Sequence, residues 1–313
     1  ERLRIDAPKG MLDAALREQI GRLKDQVLVH LRRRADAPAG LTEIPRAADD
    51  QPAPLSYAQE RLWFLQQLQP GSAVFNLCRA MRITGKLDLA ALEWSLTELQ
   101  QRHESLRTKF FVADGRPFQV VLAAEKVALA ATNLRSLPEP QREAAAARLL
   151  FNELRRPLDL TRGRLWRTRL LRLDDDRHIL TLITHHLAAD AWSMGILIPD
   201  LWAFYQDCRS GKGPAPAPNH CRYRDYAVWQ RQVGDEAFHG DLAYWQQKLE
   251  GVPVLDLPID RLPPAAPSFR GGRVPVEIAE SVTAGLHEIC RARGATLFMS
   301  LLAASQVMLC RWG

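Results

Sequence analysis

Residues 179–190 read Ile179-Leu180-Thr181-Leu182-Ile183-Thr184-His185-His186-Leu187-Ala188-Ala189-Asp190. The first six are apolar or β-branched, as in a strand, and beyond Asp190 the residues Ile196, Leu197, Leu201 and Tyr205 recur at helical spacing. A strand therefore ends at two histidines, and a loop carries the chain into a helix. Side chains alternate faces along a strand, so His185 and His186 point in opposite directions and only one faces a given cleft. That argues against joint ligation of one metal ion, and no further ligands stand at a zinc-like spacing, so no metal site is expected. A single imidazole suits acyl chemistry better. It can take a proton from an amine or hydroxyl attacking an acyl carbon, or hold that nucleophile by a hydrogen bond. The spacing by itself fits equally a histidine pair that is merely satisfied at a strand end. Asp190 is placed to fix the loop by pairing with a buried arginine.

Two runs of strand character, Leu165 to Leu173 and Ile179 to Thr184, flank the acidic turn Asp174-Asp175-Asp176. An Ala-rich helix is predicted near residues 140–153. A hairpin turning at Asp114-Gly115 joins Phe110-Phe111 to Val120-Val121. Earlier helices run through Leu62, Leu65 and Leu68, ending at Pro70-Gly71, and through Leu92, Leu96 and Leu99. At the start, Leu3-Arg4-Ile5 reads as a short strand, and Leu12, Leu16, Ile20, Leu23, Val27, Leu28 and Leu31 share one face of a helix. Residues 35–54, rich in Ala, Pro and Asp, read as a linker.

The chain has 313 residues, 47% of them hydrophobic and 25% charged, so it is globular and long enough for more than one lobe. Its 42 Lys and Arg exceed 36 Asp and Glu by six, and four of that excess fall in residues 1–34. A short basic piece on a nearly neutral body is not the footprint of a nucleic-acid-binding face. Five cysteines without a C-x-x-C pair fit a reduced, cytoplasmic protein. The longest apolar stretch, Leu297 to Cys310, is too short to span a bilayer, so no membrane partner is expected. The chain begins at Glu1 without a visible signal peptide, and a fragment is expected.

The histidine stretch, His185-His186 followed by Asp190-Ala191-Trp192-Ser193, resembles the His-His-x-x-x-Asp-Gly signature of condensation domains in nonribosomal peptide synthetases. Four more blocks resemble that family in order. They are Ser56 to Leu65, Arg102 to Phe110, Tyr223 to Trp229, and Tyr244-Trp245 through Leu257-Pro258-Ile259-Asp260-Arg261. The resemblance implies an α/β (α+β) fold of two chloramphenicol-acetyltransferase-like lobes, with the first at residues 55–230 and the start of the second at 231–313. It implies an amide-forming acyltransferase that joins a thioester-bound aminoacyl, peptidyl or acyl donor to an aminoacyl acceptor. Both would arrive on phosphopantetheine arms of upstream and downstream peptidyl carrier proteins, with no cofactor bound directly. By position His186 is the catalytic histidine, supported by His185, Asp190 and Ala191, and Asp190 pairs with Arg102 or Arg107. Arg61, Trp63, Tyr226 and Trp229 read as packing and loop support. The family's glycine after the aspartate is Ala191 here, which costs on the order of 1 kcal/mol if the backbone there needs positive φ. The family's later motifs are missing, so the fragment is not expected to be fully competent. Epimerisation or starter acylating domains of the same superfamily, and a non-catalytic carrier-protein interaction module, remain alternatives.

Residues 1–34 resemble the latter part of a tubulysin-type N-terminal docking domain, a small α/β piece. That resemblance implies that Arg2, Arg4 and Lys9 help to receive an acidic C-terminal tail of an upstream synthetase subunit, by strand addition and charge complementarity.

Overall fold

The apolar run before the histidines forms a strand buried along almost its whole length, because helices cover both of its faces. The computed structural model describes residues 21–24, 28, 44–49, 51–213, 221–234, 238–262, 264, 271–272 and 274–312. Arg2, Arg4 and Lys9, with the strand around Leu3 and most of the following helix, lie outside the described residues. The chain divides into two units, one ending at Ala237 and the other starting at Phe238.

In the first unit the chain runs through β1 (Ala53–Pro54), α1 (Tyr57–Leu68), β2 (Asn76–Thr84), α2 (Leu89–Arg102), β3 (Thr108–Ala113), β4 (Arg116–Val121) and β5 (Ala130–Asn133). It continues through α3 (Glu139–Leu154), β6 (Trp166–Arg172), β7 (Arg177–His185), α4 (Ala191–Arg209) and α5 (Tyr223–Val233). Four strands form a sheet in the order β2-β7-β6-β5. The β6–β7 pair is antiparallel and places Leu170 opposite Leu180. One face of this sheet presents Leu170, Leu180 and Leu182 to Leu92, Leu96 and Leu99 of α2 and to Leu197, Leu201 and Phe204 of α4. The other face presents Leu171 and Ile179 to Ala145 and Ala146 of α3. Period-two alternation thus supplies two cores from one strand pair. A second sheet, β1-β4-β3, contains the hairpin foreseen at Asp114-Gly115. Both turn residues have positive φ, +49° and +72°, which matches the twist of paired strands.

Two strands carried no clear local signal. Strand β2 pairs with β7 along its whole length, from Asn76 opposite His185 to Thr84 opposite Arg177. Most of its side chains are only partly covered, so its sequence shows little apolar alternation, and the pairing itself is a long-range event. Strand β5 is a four-residue parallel edge against β6.

Two expected boundaries are corrected. The linker read over residues 35–54 is not loose throughout, because its second half belongs to the first unit. Arg222, 7% exposed, donates to the carbonyl of Ala47 at 2.8 Å and pairs with Asp49, while Arg224 donates to the carbonyls of Ala48 and, at 2.8 Å, Gln51. Asp225 Oδ1 accepts the Ala47 N–H at 2.9 Å. The lobe boundary read at 230/231 would cut α5, which is bound to α1 by Arg231. That guanidinium donates to the Leu55 carbonyl at 2.8 Å and pairs with Glu60.

The second unit contains α6 (His239–Leu249), α7 (Glu280–Arg293) and α8 (Leu297–Trp312). Helix α7 stops at Gly294, whose φ of +60° is the left-handed conformation glycine supplies cheaply. The next helix leaves at 108°, and Cys290 Sγ meets Ser300 Oγ at 3.0 Å across the corner. Among the described residues no single helix is long and apolar enough to cross a membrane.

The Arg222–Asp225 pair gives a test of how Ala47 and its neighbours are held. Burial alone would raise the Asp225 carboxyl, but Arg222 and the N–H groups of Ala47 and Arg222 together hold it below its ordinary value. Asp225→Asn leaves the buried guanidinium short of a counter-charge and is expected to cost roughly 3–5 kcal/mol in denaturant unfolding. Hydrogen exchange should then show faster exchange of the Ala47 amide; retained protection would contradict the clamp.

Candidate active site

The two histidines leave β7 in different environments. His185 is 1% exposed and His186 is exposed, as alternation along the strand requires. The backbone is held on both sides: the His185 N–H donates to the Leu165 carbonyl at 2.8 Å and the His186 N–H to the Phe75 carbonyl at 2.9 Å. The His185 ring is satisfied inside the protein. Its Nδ1 accepts the Leu187 N–H at 3.1 Å, so Nε2 carries the proton and faces Gln66 Oε1 at 3.4 Å. Burial, with the neighbouring His186 adding to it, pushes His185 down to about 4. His185 is thus a neutral structural pin that fixes the loop by its own neighbour's backbone.

The loop beyond it is equally fixed. The Ala188 N–H donates to the His185 carbonyl at 2.9 Å, and Leu187 packs into a core with Leu55, Trp63, Phe110, Leu160 and Leu165. Gln59 of α1 reaches the Leu187 carbonyl at 3.5 Å. His186 is therefore carried on a rigid corner with its side chain outward.

Asp190 does not pair with Arg102 or Arg107, and that expectation is corrected. Its Oδ1 accepts the Ser193 N–H at 2.7 Å and the Ser193 hydroxyl at 2.6 Å, while the Asp190 N–H donates back to that hydroxyl at 3.0 Å. These bonds cap α4 and hold the Asp190 carboxyl below its ordinary value. The local cap satisfies the carboxylate without an arginine. Arg102 instead lies 3.2 Å from Asp200 of α4, and Arg107 binds the carbonyls of Gln100, Gln101 and Leu122 beyond the end of α2. Ala191 stands in the first turn of α4, and Asp114 has the one positive φ recorded among described non-glycine residues. Alanine in place of the family's glycine therefore carries no backbone strain here.

A cleft of about 460 Å³ opens beside this corner. Ala188, Ala189 and Leu197 line one part, and His103, Tyr223 and Tyr226 line another. Tyr226, read as packing, is thus a wall residue, and Arg61, also read as packing, is exposed on α1. Trp63 does pack, with its ring 6.0 Å from that of Phe110. Sequence reasoning missed Gln66, Asp200 and His103 as parts of the site. Each acts across the tertiary structure, and only His103, inside the block from Arg102 to Phe110, carried a local signal.

A strand thus ends in a buried and an exposed histidine with a capped helix behind them, and the nearby cleft takes Ala188 and Ala189 of the same loop, and His103, into its lining but not His186. A family model described as condensation domain matches residues 49–313, and the chain belongs to the condensation-domain family. It is 40% identical over 271 residues to a linear gramicidin synthase of Brevibacillus parabrevis, covering 86% of this chain and 5% of that protein. It is 41% identical over 283 residues to the phosphinothricin tripeptide synthetase PhsC of Streptomyces viridochromogenes, covering 90% of this chain and 26% of that one. The chain thus spans a small part of the curated relatives it matches. Among solved structures it resembles the X-domain of teicoplanin biosynthesis in complex with OxyB, with a TM-score of 0.74 and 32% identity over 87% of this chain and 59% of that one. It also resembles the first condensation domain of the CDA synthetase, with a TM-score of 0.64 and 25% identity over 84% of this chain and 63% of that one. These likenesses agree with the chloramphenicol-acetyltransferase-like fold read from the sequence.

The depressed His185 sets a pH dependence. Between about 6.5 and 4 the unfolded chain binds a proton there that the folded chain does not, so stability falls as pH falls through that window. The loss is on the order of 3 kcal/mol at the acid end, and denaturant unfolding at pH 7 and pH 4 should show it. A His185→Gln variant should be less stable at pH 7 and lack this part of the pH dependence; an unchanged dependence would contradict the pin.

Proposed function

We propose that this chain contributes the histidine side of an amide-forming site in nonribosomal peptide synthesis. The observation that carries the reading is the segregation of the two histidines, with His185 consumed by structure and His186 presented from a fixed corner. In the reaction an amine of the acceptor attacks the thioester carbonyl of the donor. A C–N bond forms, the C–S bond breaks, and the amine proton ends on the departing thiol. His186 would hold the attacking amine or take its proton. Phosphopantetheine would enter as part of the carrier-borne substrates, from upstream and downstream carrier proteins. His185, Asp190 and Ala191 would act by holding the corner, and Arg102 and Arg107 by holding α2 and the turn at its C-terminal end.

A second reading, an interaction module without chemistry, is favoured by one observation. One similar solved structure is a complex of the X-domain and OxyB from teicoplanin biosynthesis. The two readings separate in one assay. The synthetase containing this chain is supplied with a loaded donor carrier and a loaded acceptor carrier, and the amide product is followed by mass spectrometry. His186→Ala should lower product formation by roughly 10²-fold or more. Full product from the variant would remove His186 from catalysis, and no product from the unaltered protein would favour the interaction module.

For the N-terminal piece, Arg2, Arg4 and Lys9 are proposed to receive an acidic C-terminal tail of an upstream synthetase. Its affinity should fall as salt rises from about 0.05 to 0.5 M, measured by titration with an acidic tail peptide. Salt-independent binding would count against this role.

A further inference from the structure

The end of the large sheet away from the histidine pair gathers donors that the fold leaves unpaired. Arg172 of β6 stands directly opposite His178 of β7. Each lies two residues from a core leucine, Leu170 or Leu180, and so shares the face turned to α2 and α4. Together with Lys86, Leu87, Leu89 and Asp175 they line a pocket of about 230 Å³. Seven positions of strand separate His178 from His185, about 23 Å of extended chain, so this pocket is remote from the cleft at Ala188 and Ala189.

His178 is 3% exposed, and its Nδ1 is enclosed without a hydrogen bond, as is Arg172 Nε. Among the described residues the side chains of Lys86, Arg172 and His178 have no hydrogen-bond or ion-pair partner. Unmet bonding capacity at enclosed polar atoms costs stability and calls for a partner. Burial, with Arg172 adding to it, holds His178 below its ordinary value, so at neutral pH its ring is uncharged and has one N–H to give.

The neighbouring carboxylates are already engaged or lie outside the lining. Asp175 pairs with Arg135, Asp174 with Arg142 and Arg177, and Asp88 accepts the Ala91 N–H at 3.0 Å to cap α2. Asp176 is exposed and is not part of the lining. With Asp175 balanced by Arg135, Lys86 and Arg172 leave the lining two positive charges. Leu89 opens α2, whose dipole acts in the same sense. A cation is repelled from such a place, and an apolar ligand would leave the guanidinium and imidazole unpaired. A carboxylate balances one of the two charges. A phosphate dianion balances both and has oxygens enough for a guanidinium, an ammonium and an imidazole at once.

We propose that Lys86, Arg172 and His178 form a binding site for a phosphate group, belonging either to inorganic phosphate or to a small phosphate monoester whose body rests on Leu87 and Leu89. The site is independent of His186 and of the amide-forming reading.

The test is calorimetry on the full chain at about pH 8, where phosphate is a dianion, with chloride holding the ionic strength constant. Inorganic phosphate, glycerol 1-phosphate and acetate are the probes. At least one phosphate probe should bind about tenfold more tightly than acetate. Arg172→Gln should weaken that binding about tenfold or more, and Lys86→Gln, a change at an exposed residue that leaves the core untouched, about threefold. The His178 ring resonances, assigned by their loss in His178→Gln, should shift with the phosphate probes and not with acetate. Tighter binding of glycerol 1-phosphate supports the site as one for a monoester, and tighter binding of inorganic phosphate supports it as one for the free ion. Equal affinity for acetate and both phosphate probes overturns the proposal, as does full affinity retained in Arg172→Gln or Lys86→Gln, or failure of both phosphate probes to bind at millimolar concentration.

Discussion

A neutral imidazole sealed at the end of strand β7 is the constraint on which the site depends. His185 accepts the N–H of Leu187 and faces the side chain of Gln66, so one ring ties the strand end, the loop and helix α1 together. A charged ring could not occupy that place without a counter-ion, and none is supplied among the described residues. Once His185 is committed inward, the strand's two-residue period turns His186 outward. The buried partner thus determines where the exposed one can stand.

The rest of the first unit braces that corner. Ser56 and Gln59 cap α1 reciprocally, and Tyr223 of α5 meets the Ser56 hydroxyl at 2.9 Å. Through Arg222, Arg224 and Asp225 the same helix holds Ala47, Ala48, Asp49 and Gln51 against the unit. The segment entering the domain and the cleft that Arg222 lines therefore share one buried ion pair. On the proposed amide-forming reading such stiffness serves His186, since placement within fractions of an ångström governs how well a general base is used.

Much of this was legible in the sequence because it is local. The turn at Asp114-Gly115, the end of α1 before Pro70-Gly71, the apolar strand before His185 and the opposite facing of the two histidines all follow from short-range rules. What escaped was relational. Strand β2 exists because β7 needs a neighbour, not because Asn76–Thr84 alternates strongly. The position of Asp190 suggests an arginine partner, yet Ser193 three residues on offers a nearer bond, a signal present in the sequence as a capping pattern. Asp200 lay unnoticed within a helix pattern because its partners, Arg102 and His103, belong to a distant helix end that only the folded chain brings to it.

Adjacent histidines of one chain occupy opposite states, one sealed and one presented, and the amide-forming reading rests on that division. Brief carbethoxylation of the folded protein at neutral pH, with the modified residue located by fragment-ion mass spectrometry, tests it directly. Modification is predicted at His186, with His185 protected until the protein unfolds. Modification of His185 at a rate like that of His186 in the folded state would contradict it.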